Sequence, residues 1–495
     1  MTNKFPKGMA LVVMLILMGL VAACGDTTNT SAPASAATTA ASSATTVATT
    51  VASGTTSTAA TTAAAASGAN SGSTDYSKVG PELVNAFAGK YKGTTVTFNS
   101  NCVSNKDCVN TFKDFQDKTG ITVNLVPPGD QSALVVKITG NTIEDIVDIT
   151  NPGFLASYAK QGKVVDLNKV INPDWLKANI SQGFLDTTTV DGNGGKILGG
   201  LFTYINFKSA VWYPKKAFDA AGYKTPQTWA ELKTLMDQIV KDGDNPWCIG
   251  IEAGGATGWP ATDWIEDIML RTTTPENYDK WTSGALPFTS PEVKNAFNIL
   301  TDIWFNDKYV YGGRKTIATT NFLDAPNPMF ANPPKCWLHK QANFITIQSF
   351  EKNKPGLKSG VDYDFFYFPP IDDKYGKPVL FAGDFFTMFH DRPEVRAVMQ
   401  YTATYDWIKP WIKAGGEPIS PLKNSNLADY TTDIYRKMAQ TILSASTVRF
   451  DGSDLMPAEV GGGSFWKGVT DYVSGSANLD QALTTIQNGW NNVKK

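Results

Sequence analysis

Thr94-Thr95-Val96-Thr97-Phe98-Asn99, Val109 to Phe115, and Ile121-Thr122-Val123-Asn124-Leu125 change their apolar period from two to nearly four and back. Thr94, Val96 and Phe98 alternate as a strand. After a polar loop, Asn99 to Asp107, the side chains of Val109, Phe112 and Phe115 share one helical face, which Gly120 ends. Ile121, Val123 and Leu125 alternate again. Strand, helix and strand in about thirty residues make a βαβ unit, whose ligand crevice lies beyond the carboxyl ends of its strands. The Asn99–Asp107 loop therefore faces a ligand, with Asn101 on it. Ile146-Val147-Asp148-Ile149 predicts a further buried strand, ending in the turn Thr150-Asn151-Pro152-Gly153.

Helices are marked further along. Thr228-Trp229-Ala230-Glu231 is a capping box, followed by Leu232, Leu235, Met236, Ile239 and Val240 on one face. Ser290-Pro291 opens another helix, and Asp391 to Tyr405 and Asn478 to Trp490 are amphipathic. No internal repeat is evident, and the class is α/β. The body from Val79 to Val493 is long enough for at least two domains, each with its own core.

Lys4 and Lys7 precede an apolar run, Met9 to Val21, too short to span a bilayer comfortably and suited to a signal-peptide core. It leads into Val21-Ala22-Ala23-Cys24, which resembles a bacterial lipobox; residues 1–23 would be removed and Cys24 lipidated. Losing Lys4 and Lys7 takes the net charge from −2 to about −4. With no polybasic patch, nucleic acid is not an expected partner. Residues 24–78 carry the lipidated cysteine and a Ser/Thr/Ala stretch too poor in apolar side chains to fold, expected to act as a disordered tether.

The other cysteines are Cys102, Cys108, Cys248 and Cys336. An even number in an exported chain, without C-x-x-C or histidine ligand spacing, points to disulfides and to no metal. Of the three possible connectivities, Cys102–Cys108 as a small loop with Cys248–Cys336 as a long-range staple is expected.

Gly258-Trp259-Pro260-Ala261-Thr262-Asp263-Trp264 sets two indoles and a carboxylate within six positions. Sugars present apolar C–H faces and hydroxyl rims, which aromatic faces and fixed carboxylate acceptors match. A core turn that buries both indoles is the alternative. Catalytic signatures are absent: only His339 and His390 occur, Gly195-Lys196 runs into Ile197, and neither Gly-x-Ser-x-Gly nor His-Glu-x-x-His is found. No cofactor is implied. A secreted glycoside hydrolase, whose paired carboxylates cannot be read from spacing, and a surface carbohydrate adhesin on its stalk remain competing readings.

Phe115-x-x-Lys118-Thr119-Gly120-Ile121-x-Val123, Trp212-Tyr213-Pro214-Lys215-Lys216-Ala217-Phe218-x-x-Ala221-Gly222 and Pro226-x-Thr228-Trp229-x-Glu231-Leu232 resemble the solute-binding lipoproteins of carbohydrate ABC importers, the group that includes maltose-binding proteins. Trp259 to Asp267, Pro334-x-Cys336-x-Leu338-His339 and Phe450 to Pro457 are similar to the α-glucoside-binding members. The resemblance implies a two-lobed periplasmic-binding-protein-like fold (type II) and no catalysis. It places lobe 1 at 79–205 and 383–412, and lobe 2 at 206–382 and 413–495, with crossovers near Asn206–Tyr213 and Phe381–Phe386.

An α-glucoside or short oligosaccharide would bind between the lobes of a monomer held by lipid on the outer face of the cytoplasmic membrane. It would pass to a permease with a cytoplasmic ATPase. Residue by residue, the resemblance carries over Trp259, Asp263 and Trp264, then Trp466 as a stacking face, Asp384 on a crossover, and Asn151 with Phe154 on a lobe 1 loop. Asn101, on the ligand-facing loop, and Asp130, on a Gly-containing turn, complete the candidates; both could equally be solvated loop residues. Trp466 packing its own helix, Asp384 in a salt bridge and Asn151 in ordinary turn chemistry stay open as alternatives.

Overall fold

Alternation at 95–99 and 122–126 gives two adjacent parallel strands, Thr95–Asn99 and Thr122–Val126, registered from Thr95 opposite Thr122 to Asn99 opposite Val126. The connection predicted as one helix is two, Lys106–Asn110 and Lys113–Thr119. Asn105 caps the first through its Oδ1. At its end the Thr111 hydroxyl donates back to Cys108 O at 2.6 Å, offering the backbone an alternative to continuing the helix. Ile146–Ile149 lies parallel on the other side of Thr95–Asn99. This computed structural model describes residues 74–128, 131–416 and 418–493, without the side chains of Gln131 and Ser132. Cys24, the leader, the tether up to residue 73 and Asp130 lie outside the described residues.

The first sheet is completed from far along the chain. Phe385–Met388 runs antiparallel to Ile146–Ile149, and Leu201–Phe202 is antiparallel on its outer side. A second sheet orders Asp364–Tyr367, Ala210–Tyr213, Cys336–Lys340 and Asn245–Trp247, with only the last pair parallel. Between the two along the chain stand Asn206–Phe207 and Pro378–Ala382, where the chain crosses from one large sheet to the other and back; they form a three-stranded sheet with the later strand Thr447–Phe450. The fold is thus a two-lobed α/β fold of the periplasmic-binding-protein kind.

Each sheet has its own aromatic core. Phe98 meets Phe386 edge-on at 4.7 Å, with Trp407 beyond it. In the second, Trp264 meets Trp247 at 4.8 Å and Trp304 at 5.6 Å. The helix Trp259–Thr272 is buried from Pro260 to Arg271, so it reads as an internal helix rather than a surface one. The stretch after the crossovers leans on both lobes: Ile419 and Leu422 bridge to Ile205 and Ile180, and the Tyr435 hydroxyl lies 2.9 Å from Thr346 Oγ1.

Both disulfides, Cys102–Cys108 and Cys248–Cys336, are present. Beside the second, His339 Nδ1 lies 2.9 Å from Cys248 O, which can only accept, so Nδ1 carries the proton. Nε2 is buried without a partner among the described residues. Burial, aided by Lys340, lowers the His339 pKa from 6.5 to about 4 despite the hydrogen bond to Cys248. The unfolded chain therefore takes up a proton at a pH where the folded one resists it. The contribution of neutral His339 is complete above about pH 6.5 and is lost as pH falls toward 4, by about 3 kcal/mol. Urea unfolding at pH 7 and pH 4.5 checks this: His339→Gln is expected to flatten that part of the profile.

Candidate functional site

Gly258 begins the Trp259–Thr272 helix in a left-handed conformation, φ 114°, and a Cβ there would collide with the Trp466 carbonyl. This glycine lets the backbones carrying Trp259 and Trp466 meet, although two hundred residues separate them. Trp259 is half-buried, edge-on to Phe322 at 5.0 Å, with Lys208 Nζ 5.3 Å from its ring. Trp466 is also half-buried and follows Glu459–Phe465, a stretch wound with the wide i→i+5 pattern common at functional sites. Its Nε1 donates to Ser453 Oγ at 3.4 Å.

Trp264 is placed differently from the expectation. It is 3% exposed and packed among Trp247, Trp304 and Phe368, a core side chain with no ring face to offer a ligand. Trp259 and Asp263, four apart, share a helical face, and position 264 is turned away from it.

Asp263 is buried in a network centred on Lys208. The Lys208 ammonium, 5% exposed, bonds Asp263 Oδ1 at 2.7 Å and also Asp451 Oδ2. Asp451 Oδ1 accepts from Ser453 Oγ at 2.8 Å and from Asp454 N at 3.1 Å. Glu266 accepts from Ser453 N at 2.9 Å. Beneath them Asp267 pairs with Arg271 and lies 3.1 Å from Lys340 Nζ.

Burial pushes Asp263 up to about 7, with Lys208 opposing and Asp451 reinforcing it. Burial also raises Glu266 well above its ordinary value. In Asp451 burial acts in the same direction but is outweighed by Lys208, Ser453 and the Asp454 N–H, so its carboxyl is held low. Asp263, Glu266 and Asp451 bring carboxylate oxygens within 4.8 Å of one another, a spacing a metal ion could use. The Lys208 ammonium, bonded to two of the three, already supplies the positive charge there.

The remaining candidates cluster beside the first sheet. Asn101, Asp148, Asn151 and Phe154 line a cavity of about 200 Å³. Asn151 caps Pro152–Lys160, its Oδ1 accepting from Phe154 N at 2.8 Å, so the turn-chemistry alternative describes its side chain. Phe154 is buried against Tyr158. A Cβ on Gly153 would lie 3.2 Å from Met456 O, which marks where the lobes touch. On the crossover, Asp384 accepts from Tyr204 OH at 2.6 Å and Asn101 Nδ2 at 3.1 Å, and among the described residues it forms no salt bridge.

Asn101, Asn151 and Phe154 thus share one cavity, with Asp384 bonded to Asn101, while Trp259, Asp263 and Trp466 are grouped around Gly258 and Lys208. A larger recess of about 740 Å³ at Phe305, Asp307 and Arg314 contains none of them. Its Arg314 is already committed to Tyr472 O, Val473 O and the Phe305 ring.

The sequence reading missed Lys208, Asp451, Tyr204 and Asp148. One carried a signal. The aspartate inside Ile146-Val147-Asp148-Ile149 is a charge in a strand expected to be buried, where it needs a partner.

Residues 109–333 match the family described as bacterial extracellular solute-binding protein. The chain is 39% identical over 364 residues to the osmoprotective compounds-binding protein GgtB of Synechocystis sp., covering 72% of this chain and 83% of that one. It is 39% identical over 388 residues to the alpha-glucosides-binding periplasmic protein AglE of Rhizobium meliloti, covering 77% and 83%. Among solved structures, the solute receptor AcbH, described as preferring β-D-galactopyranose, superimposes with a TM-score of 0.64 at 20% identity, over 80% of this chain and 97% of that one. RafE with raffinose gives 0.55 at 18%, over 81% and 100%. These two likenesses establish the fold. Identity of this degree across most of two relatives, on a two-lobed fold, means that the chain belongs to the bacterial extracellular solute-binding proteins, a family that captures ligands and does not transform them.

Proposed function

We propose that this protein is the sugar-capturing component of a carbohydrate ABC importer, binding α-glucosides or short oligosaccharides between its lobes and delivering them to a membrane permease from a lipid anchor at Cys24. The observation that carries the reading is the meeting of two half-buried indoles, Trp259 and Trp466, at Gly258, together with the hydrogen-bonded pair Asn101 and Asp384 beside the first sheet. Aromatic faces and fixed polar groups match the two surfaces of a sugar. The names of the relatives, one binding osmoprotective compounds and one alpha-glucosides, support the same class.

We take lobe 1 as 79–205 with 383–412 and lobe 2 as 206–382 with 413–495. A ligand touching both favours the closed form by its differential affinity for that form. Asp263 gives Oδ1 to Lys208, whose ammonium lies beside the Trp259 ring, and so supports that indole.

Calorimetry with maltose, sucrose and trehalose tests the reading on a lipid-free chain beginning near Ser77. Trp259→Ala and Trp466→Ala are each expected to weaken binding by about 1–3 kcal/mol, one to two decades, through lost stacking area. Unchanged affinity in both, with normal folding, would move the cleft elsewhere. Sustained release of glucose from any of the three sugars would turn the assignment to a hydrolase.

A further inference from the structure

Asp148 stands within the buried strand Ile146–Ile149, 5% exposed, with only half of its carboxylate satisfied. Oδ2 accepts from Ser100 Oγ at 2.9 Å and Asn101 N at 3.3 Å. Oδ1 is buried with no hydrogen-bond partner among the described residues. The residue lines the 200 Å³ cavity beside Asn101, Asn151 and Phe154.

Asn101 also links Asp148 to Asp384, its main-chain N–H going to the first and its side-chain amide to the second. Strand pairing puts the two acids on one face. Asp148 is opposite Phe386 and Ile149 opposite Phe385, so Asp384 falls opposite Thr150, two positions beyond Asp148. Among the described residues, no cation acts on either carboxyl. Burial, then the Asp384 charge, pushes the Asp148 carboxyl well above its ordinary value, as befits an acid short of donors.

A buried acceptor left unmade is costly, and donors brought by a bound ligand would relieve it. Two neighbouring hydroxyls of a sugar ring supply them. We propose that Asp148, together with Asp384, is the acceptor pair for two adjacent hydroxyls at one end of the bound sugar, and that Asp148 decides which hydroxyl configuration is accepted there. The proposal rests on the sugar-capture reading. It also implies that sugars carrying a phosphate or carboxylate at that end are rejected.

The test is calorimetry of wild type and Asp148→Asn with maltose, sucrose and trehalose, followed by the monodeoxy analogues of whichever sugar binds. Asparagine keeps the shape and an acceptor for Ser100 and Asn101 while removing the buried charge. The expected result is binding at least tenfold weaker in Asp148→Asn. One monodeoxy analogue that loses tenfold on wild type should bind Asp148→Asn as well as its parent sugar does. Asp384→Asn, at the half-buried partner, repeats the cycle independently should the first variant fold poorly.

Equal binding by wild type and variants, or weakening by one common factor for every analogue, would overturn the proposal while leaving sugar capture intact. Failure of all three sugars to bind wild type would overturn the capture reading and the proposal with it.

Discussion

Lys208→Met is expected to destabilise the protein by about 3–5 kcal/mol at pH 7, the range seen when one partner of a buried ion pair is removed. The ammonium serves Asp263 and Asp451 together, and all three side chains are about 5% exposed. Methionine keeps the aliphatic stem and removes the charge. Asp451 would retain the Ser453 hydroxyl and the Asp454 N–H, whereas Asp263 would keep no side-chain donor to Oδ1, its Oδ2 having no partner already.

Asp263 already stands above the unfolded value near 3.8 and Asp451 below it, and without Lys208 both rise. The loss is therefore smallest below the ordinary aspartate range, where both acids are protonated, and grows as pH climbs. Urea unfolding at pH 5 and pH 7.5 should show the larger deficit at the higher pH, and adding Asp451→Asn should recover part of it. Equal stability of Lys208→Met and wild type at pH 7.5 would mean that the network contributes no net stabilisation.

Removing the Cys248–Cys336 bond as a pair of alanines is expected to lower stability by about 4–5 kcal/mol, because the bond closes a loop with a sequence separation of 88 residues. Native contacts change little. Cys336 and Leu338 already pair with Asn245 and Trp247, and Cys248 N donates to Leu338 O at 2.8 Å. The effect falls mainly on the unfolded chain, which regains the freedom of a long loop. Cys102–Cys108, at a separation of 6, should contribute only about 2 kcal/mol by the same relation. Denaturation midpoints of the two double variants make the comparison, and equal losses would contradict loop length as the cause. Sugar affinity of the folded Cys248/Cys336 variant should match wild type.

The parts of this fold that were legible are those written in local pattern. Val96, Phe98 and Val123 gave away the strands, and Thr228 with Glu231 the cap, which forms through Thr228 Oγ1 and the Glu231 carboxylate. Thr111 shows the limit of a pattern, since one hydroxyl hydrogen bond divides a helix that periodicity joins. The site was legible by residue type and less so by direction. Trp259 and Trp264 looked equivalent as neighbours in a motif, yet five helical steps separate their directions and one is in the core. Lys208 was illegible as a partner because its acids lie 55 and 243 residues away, a proximity that only the crossovers create.

Those crossovers also govern how the molecule can be made. The strand that completes the first sheet beside Ile146–Ile149 is Phe385–Met388, synthesised more than two hundred residues later. Until it arrives, Ile146–Ile149 has an unpaired edge and Leu201–Phe202 has no neighbour in that sheet, so the nascent first lobe is an incomplete template open to other chains. Folding on the ribosome in order of synthesis is thus closed to this lobe. A chain that matures only once its whole length is available is well matched to translocation before folding, and any fragment ending short of Met388 lacks a complete first lobe.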